Sequence, residues 1–401
     1  MTTAPLPTTL RLRPLSVVEE GEDVLIGDPE RGAFVAVPAV GGVVVRALLD
    51  GATVAEAGAR ASAFAGEPVD MADFVAALHD LGFVAADDDE PAAPVATAPV
   101  QQRGWTGGPP AALVRPLFST VAWCVYGLAA VAVVACFLLR PELWPRPTDL
   151  LITGDLGTSL LIMLPVTYLL VGLHEIWHWL AARALNLRTR FGVDRRLFFL
   201  VFETDLSQLW SVPRNKRYGP QLAGLAIDLV LIAGLLTAQL VAGPVRPLPA
   251  LVFVLVAGAL WQCMVFLRTD LYGVLVTATG CRDLWRVKSL LLRRAFGRLD
   301  QRQREELDRA DPRDVRAGTW FRWVWLAGGF VTAAYFALFY LPLLTYVARW
   351  AGDGFAAGAG SARFWWGLLV ALMVYAPIGV TLWIAVTRRR QHRAGTGAEV
   401  I

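Results

Sequence analysis

Residues 158–182 read TSLLIMLPVTYLLVGLHEIWHWLAA. A helix needs roughly 20 apolar residues to cross a bilayer. This stretch is long enough, yet two histidines and a glutamate lie in its second half. Ionisable groups inside an apolar span are costly and call for a chemical reason. The chain of 401 residues holds four histidines, and two of them, His174 and His178, flank Glu175 in the pattern HExxH. On a helix, positions i and i+4 share a face. Both imidazoles can therefore reach one zinc ion, and the glutamate between them can take a proton from a water activated there. The competing reading is a buried polar cluster that packs helices without metal.

Similar apolar runs surround this one. Spans are expected at 117–139, 158–182, 220–242, 250–272, 321–347 and 364–387. Composition agrees: 56% of residues are hydrophobic and 18% are charged, against roughly 25% charged in soluble domains. Mean hydropathy is +0.50. These values exclude a disordered chain, a coiled coil and a fully soluble enzyme. The four cysteines, Cys124, Cys136, Cys263 and Cys281, form no CxxC pair, which argues against a disulfide framework or a cysteine zinc site. No secretory signal is expected, because the first long apolar run begins after residue 115. The fold class predicted is mainly α, a polytopic membrane helix bundle of about six spans, with a small N-terminal α+β winged-helix-like domain.

Basic residues assign an orientation. The segments 183–219, 282–317 and 388–393, with Arg103 and Arg115, carry 25 Lys and Arg, while the opposite loops carry five. Positive charge marks the cytoplasmic side, so both termini and the two large loops are expected there. Within 282–317, Leu290–Leu292, Phe296 and Leu299 suggest an amphipathic helix on the membrane surface. A solvated charged helix is the plainer alternative.

Residues 1–88 are predicted to form a separate domain, followed by an Ala/Pro/Gly-rich linker at 89–115 and a membrane domain at 116–401. Residues 1–90 hold five basic and sixteen acidic residues, a net of −11. Asp23–Gly27 and Ala33–Val37 read as strands joined by the turn 28–32, and Val40–Leu49 reads as a helix. Thr53 with Glu56 has capping-box spacing. Asp70 can cap a third helix with Phe74, Val75, Leu78 and Leu81 on its apolar face, before Phe83-Val84 returns as a strand. A winged-helix shape also suits DNA, but this negative charge is repelled by phosphate, so no nucleic-acid partner is expected.

Zinc needs a third protein ligand and one open position. His79 and His392 fall in the N-terminal domain and the basic tail and read as solvated. The carboxylate candidates are Asp155, Asp205, Asp228 and Asp270. Asp270 matches the depth of the histidines best. Asp228 can brace a ligating imidazole from behind, or serve only as a helix-packing hydrogen bond.

HExxH in one span with Asp270 in a later one resembles the site-2 protease family of intramembrane zinc metallopeptidases, the M50 type. The resemblance covers about 158–285. It includes Leu222–Asp228, similar to the Gly-containing start of the helix between the metal motifs, and Phe191–Phe202, similar to the strands after HExxH. It implies His174, His178 and Asp270 as zinc ligands and Glu175 as catalytic base. The family pattern has an Asn and a Pro upstream, then Leu-Asp-Gly. Here Gln262 stands near the Asn position, the Pro is missing and Asp270 precedes Leu271, which leaves the oxyanion-stabilising group open. The Arg-Thr-Asp-Leu-Tyr form looks more like the bacterial peptide-metalloprotease branch, and no PDZ-like insert is visible.

The N-terminal segment resembles PqqD-like precursor-recognition domains, through Asp23–Val37, Leu48-Leu49-Asp50-Gly51 and Phe74–Val84. Such domains take a leader peptide as an added strand. Together the resemblances imply a multi-pass zinc endopeptidase of the bacterial inner (cytoplasmic) membrane. It would mature a ribosomally made precursor, with an exporter or modifying enzyme of the same pathway as a further partner. Competing expectations are regulated intramembrane proteolysis of a membrane-anchored regulator, a non-proteolytic peptide chaperone, and an immunity protein.

Overall fold

The computed structural model describes residues 7–85, 104–105, 108–196 and 199–395. These divide into two compact units: Met1–Val114 with Ala182–Gly192 and Thr204–Pro220, and Arg115–Ala181 with Val193–Glu203 and Gln221–Ile401.

The first unit begins with an antiparallel sheet of β1 (Ser16–Glu20), β2 (Asp23–Asp28) and β3 (Ala33–Pro38), in that order. The β2–β3 hairpin matches the two strands read from the sequence. Asp28 shapes its turn by accepting from the backbone N–H groups of Glu30 and Arg31 at 2.9 and 3.2 Å. β1 was not foreseen. It pairs Glu20 with Asp23 across the two-residue loop Gly21-Glu22, where Gly21 takes φ +71°, the left-handed geometry that tight hairpins use.

Three helices follow: α1 (Ala39–Leu49), α2 (Val54–Ala65) and α3 (Met71–Asp80). The capping box is present, with Glu56 N–H donating to Thr53 Oγ1 at 3.2 Å and Thr53 N–H to Glu56 Oε2 at 2.9 Å. Asp70 accepts from Ala72 and Asp73 N–H. Ile26, Val44, Val45, Ala57, Val75, Leu78 and Phe83 fill the core. Leu81 ends α3 at 40% exposure, so the apolar face of α3 is narrower than its sequence suggests. Val84 returns as a single bridge to Leu12.

Of the expected linker at 89–115, residues 89–103 and 106–107 lie outside the described residues. Its later part is structured: β4 (Gly104–Trp105) pairs with Phe191 and Gly192, and α4 spans Ala111–Val114. In the same unit the guanidinium of Arg217, 1% exposed, donates to Glu20 Oε1 at 2.9 Å and to the Val212 carbonyl at 3.0 Å. It also lies over the Trp210 ring. Glu20 and Arg217 are 197 residues apart in sequence, and no local pattern announces the pair.

The second unit holds the apolar helices. α5 is Thr120–Leu139, and α6 (Leu156–Ala184) carries HExxH. β5 (Arg190–Arg196) and β6 (Phe199–Asp205) follow as strands, as the resemblance implied. Then come α7 (Arg214–Ala242), of which the residues up to Pro220 fall in the first unit, α8 (Leu248–Gln262), α9 (Asp270–Thr279), α10 (Leu284–Ala295), α11 (Gln301–Asp308), α12 (Pro312–Tyr335), α13 (Leu341–Ala356) and α14 (Ala362–Gly395). A π-helical turn, Phe336–Tyr340, links α12 to α13. It falls just before Pro342, which has no N–H to continue the ladder.

Among the described residues, five helical stretches are long and apolar enough to cross a membrane: Thr120–Leu139, Gly157–Ala184, Arg214–Ala242, Pro312–Ala356 and Ala362–Val380. The expected fourth span, 250–272, is not continuous. α8 stops at Gln262, and α9 starts at Asp270 after a short 3-10 turn. Val133, Ile232, Leu236, Val252 and Leu255 pack α5, α7 and α8 together. Small residues set the close approaches. A methyl group at Gly157 would strike the Trp350 ring, and one at Gly328 the Phe266 ring, the kind of fit that drives helix packing in lipid.

The 282–317 stretch departs from expectation. The apolar residues of α10, Leu284, Val287, Leu290 and Leu291, are buried, and with Leu299 and Leu307 they form a core of their own. A Cβ at Gly318 of α12 would lie 3.0 Å from Leu291 and 3.2 Å from Val287. This apolar face is thus covered by protein rather than laid on a membrane surface; Phe296 alone of the predicted face is 66% exposed.

Candidate metal centre

On α6, His174 and His178 fall one helical turn apart, and both are buried, at 6% and 1% exposure. Their Nε2 atoms are 3.1 Å apart. The Asp270 Oδ2 lies 3.0 Å from Nε2 of His174 and 3.1 Å from Nε2 of His178. Three donor atoms from two helices converge on one point.

The break between α8 and α9 delivers Asp270. Arg268 adopts φ +60° and Thr269 is extended, so the chain turns and restarts a helix with Asp270 as its first residue. The Thr269 hydroxyl donates to the Gln262 carbonyl at 2.7 Å, and the Asp270 N–H donates to Gln262 Oε1 at 3.1 Å. One glutamine thus stops α8 and satisfies a free donor at the start of α9. That helix end is also the positive pole of its dipole, which favours a carboxylate. Gln221 of α7 ties down the other end of α9 through Thr277, at 2.9 Å.

The proton inventory decides what the triangle can hold. His174 Nδ1 is 2.7 Å from Asp228 Oδ2. An ionised carboxylate only accepts, so Nδ1 carries the proton. A neutral His174 then turns a bare Nε2 lone pair toward the Asp270 oxygen. Lone pairs facing each other at 3.0 Å need a positive centre among them, either an extra proton or a cation. A tetrahedral zinc with bonds of about 2.0–2.1 Å has ligand-to-ligand edges of roughly 3.3–3.4 Å. The observed triangle is a few tenths of an ångström smaller, and two imidazoles plus a carboxylate are a zinc donor set.

Space above the triangle comes from α7. A Cβ at Gly224 would collide with Nε2 of both His174 and His178. Only a residue without a side chain leaves that position clear. The sequence showed a glycine-containing helix start but not this role. Glu175 puts a carboxylate oxygen within 4.8 Å of the imidazole donors. That is near enough for the carboxylate to reach a water beside a bound metal or to serve as a ligand itself. Gln262 Nε2 also comes to 3.3 Å from His174 Nε2, so its amide borders the same space.

The other candidates lie elsewhere. Asp155 caps the start of α6 by accepting from Thr158 N–H and Oγ1–H. Asp205 accepts from Ser207 N–H in the first unit. His79 is exposed on α3. The His392 side chain lies outside the described residues.

Asp228 gives a direct test of the bracing hydrogen bond. If the centre holds zinc, Asp228→Asn should weaken its affinity about 10- to 100-fold, read by competition with a fluorescent chelator. Unchanged affinity would mean that His174 is oriented by something else.

Compared with family models, with curated proteins and with solved structures, the chain matches none.

Proposed function

We propose that the chain is a membrane-embedded zinc endopeptidase that cleaves a ribosomally made precursor peptide held by its N-terminal domain. The observation that carries this reading is the meeting of His174, His178 and Asp270 at 3.0–3.1 Å beside Glu175 and beneath Gly224.

His174, His178 and Asp270 would hold the ion. Zinc bound there supplies Lewis acidity, which lets a nearby water lose a proton near neutral pH. Glu175 takes that proton on a carboxylate oxygen as the water oxygen bonds to the scissile carbonyl carbon. Gln262 Nε2, 3.3 Å from His174 Nε2, would offer an N–H to the charge that grows on the carbonyl oxygen, the kind of placed donor that stabilises it. Glu175 then gives its proton to the leaving nitrogen as the C–N bond breaks. The products are one carboxylic acid and one amine, and the glutamate is ionised again. Asp228 keeps His174 in the tautomer that leaves Nε2 free.

Two features support a peptide substrate captured upstream. β3 pairs with β2 and with no other described strand, which suits an added strand. A net charge of −11 over residues 1–90 disfavours nucleic acid as the ligand. The basic-residue bias supports a cytoplasmic N-terminal domain in an inner membrane.

The test uses the full chain in lipid nanodiscs with precursor peptides from neighbouring genes, followed by mass spectrometry. Cleavage at one bond is expected, lost on chelation and restored by zinc. A chain that binds no zinc, or that binds precursor and zinc without cleaving, would overturn the enzymatic reading.

A further inference from the structure

The chain has two lysines, and one of them, Lys288 on α10, is 2% exposed. Its Nζ stands 3.7 Å from the ring centre of Trp285 and 4.3 Å from that of Trp325 on α12. Among the described residues no oxygen hydrogen-bonds this ammonium and no carboxylate pairs with it. Nearby cations are treated differently. Arg286 donates to both oxygens of Glu306 at 2.6 and 2.7 Å, and Arg282 lies 3.7 Å from Asp311.

A second cation shares the Trp285 ring. The guanidinium carbon of Arg268 is 5.6 Å from that ring's centre. Arg268 is exposed and has no carboxylate partner among the described residues. Burial, with the charge of Arg268 adding to it, pushes the Lys288 ammonium down to about 8. Two cations held on one ring repel each other. Cation–π contact recovers only part of the cost of burying a charge. What the pair lacks is an anion.

We propose that Arg268 and Lys288 form a binding site for the phosphate of an anionic membrane lipid. Phosphate suits the pair chemically: a guanidinium binds its oxygens two at a time, and an ammonium adds a point charge. A lipid is the source because of where the pair sits. Trp325 belongs to Pro312–Ala356, a helical stretch long and apolar enough to cross a membrane. On the same helix Trp320 and Trp323 are 43% and 59% exposed. Tyr272 completes the aromatic surround, edge-on to Trp285. Trp and Tyr gather at the level of lipid headgroups, and basic pockets between membrane helices bind anionic ones. The site does not depend on the peptidase reading. It does adjoin that centre, because Arg268 lies in the turn that delivers Asp270, and a lipid bound there braces the turn.

Native mass spectrometry of the full chain, purified from membranes containing phosphatidylglycerol, tests this. Wild type should retain one phosphatidylglycerol through delipidation that strips phosphatidylcholine. Lys288→Met and Arg268→Gln should each lower that retention by about tenfold or more, and Arg293→Gln, an exposed control on α10, should not. Arg268 is exposed and its side-chain contact among the described residues is the Trp285 ring, so its variant stays informative if Lys288→Met unfolds. Equal retention in wild type and Arg268→Gln overturns the proposal. So does displacement of the lipid by millimolar inorganic phosphate, or by an acidic peptide, either of which would identify a different ligand.

Discussion

On the proposed peptidase reading, Glu175→Gln should bind zinc as wild type does while precursor cleavage falls by about 10³-fold or more, in line with the contribution of a placed general base. Gln has the same length and shape as Glu but cannot take a proton from water. The side chain sits within 4.8 Å of both imidazoles, so it also lies near enough to be suspected as a ligand. The two roles separate cleanly. If Asp270, at 3.0 and 3.1 Å from the imidazole nitrogens, is the third ligand, zinc content measured by mass spectrometry is unchanged in the variant. Loss of zinc along with activity would make Glu175 a ligand and remove it as the base. Retained cleavage would remove it from the chemistry altogether.

Gly224→Ala should empty the metal centre while leaving the fold intact. The added methyl meets Nε2 of both His174 and His178. Neither ring can simply swing aside. His174 is pinned through Nδ1 by Asp228 at 2.7 Å, and His178 is buried at 1% exposure. Zinc content should therefore drop to near zero, and cleavage with it. The helix itself gains from the change, since alanine is favoured over glycine inside a helix by about 1 kcal/mol. The clash with the two rings opposes that gain, since overpacking costs about 1–3 kcal/mol, so circular dichroism of the metal-free variant is the check that its helices are retained. Gly234→Ala on the same helix is the control. Nothing lies within 4 Å of a Cβ there, so zinc and cleavage should be unaffected. Full zinc occupancy in Gly224→Ala would mean that α7 does not pass over the two histidines as described.

The site was legible to different degrees at different residues. His174, Glu175 and His178 could be read directly, because one helical turn sets their geometry and the motif spans five residues. Asp270 was reachable only by weighing depth in the expected spans and by resemblance. Asp228 was visible as a carboxylate in an apolar helix, but its target was not. The turn at 263–269 was missed because 250–267 is almost uniformly apolar. Hydropathy cannot see a helix end whose hydrogen-bond partner is a glutamine eight residues earlier.

In the N-terminal domain the β2–β3 turn and the caps at Thr53 and Asp70 were legible for the same reason as HExxH: each is a contact between residues two to four apart. β1 was not, since its five residues, SVVEE, end in two carboxylates. The Arg217–Glu20 pair lay beyond any local signal.

From the sequence alone come the helices that can span a bilayer, the caps that start several of them, and one helical face with two imidazoles. These depend on short-range sterics, hydrogen bonding and transfer free energy, which nearby residues settle among themselves. Tertiary structure alone decided that Asp270 closes the triangle, that Gly224 keeps it open, that Gln262 holds the turn between them, and that Lys288 is buried without an anion among the described residues. Each of those depends on how closely two distant segments approach, which packing determines and a linear pattern does not encode.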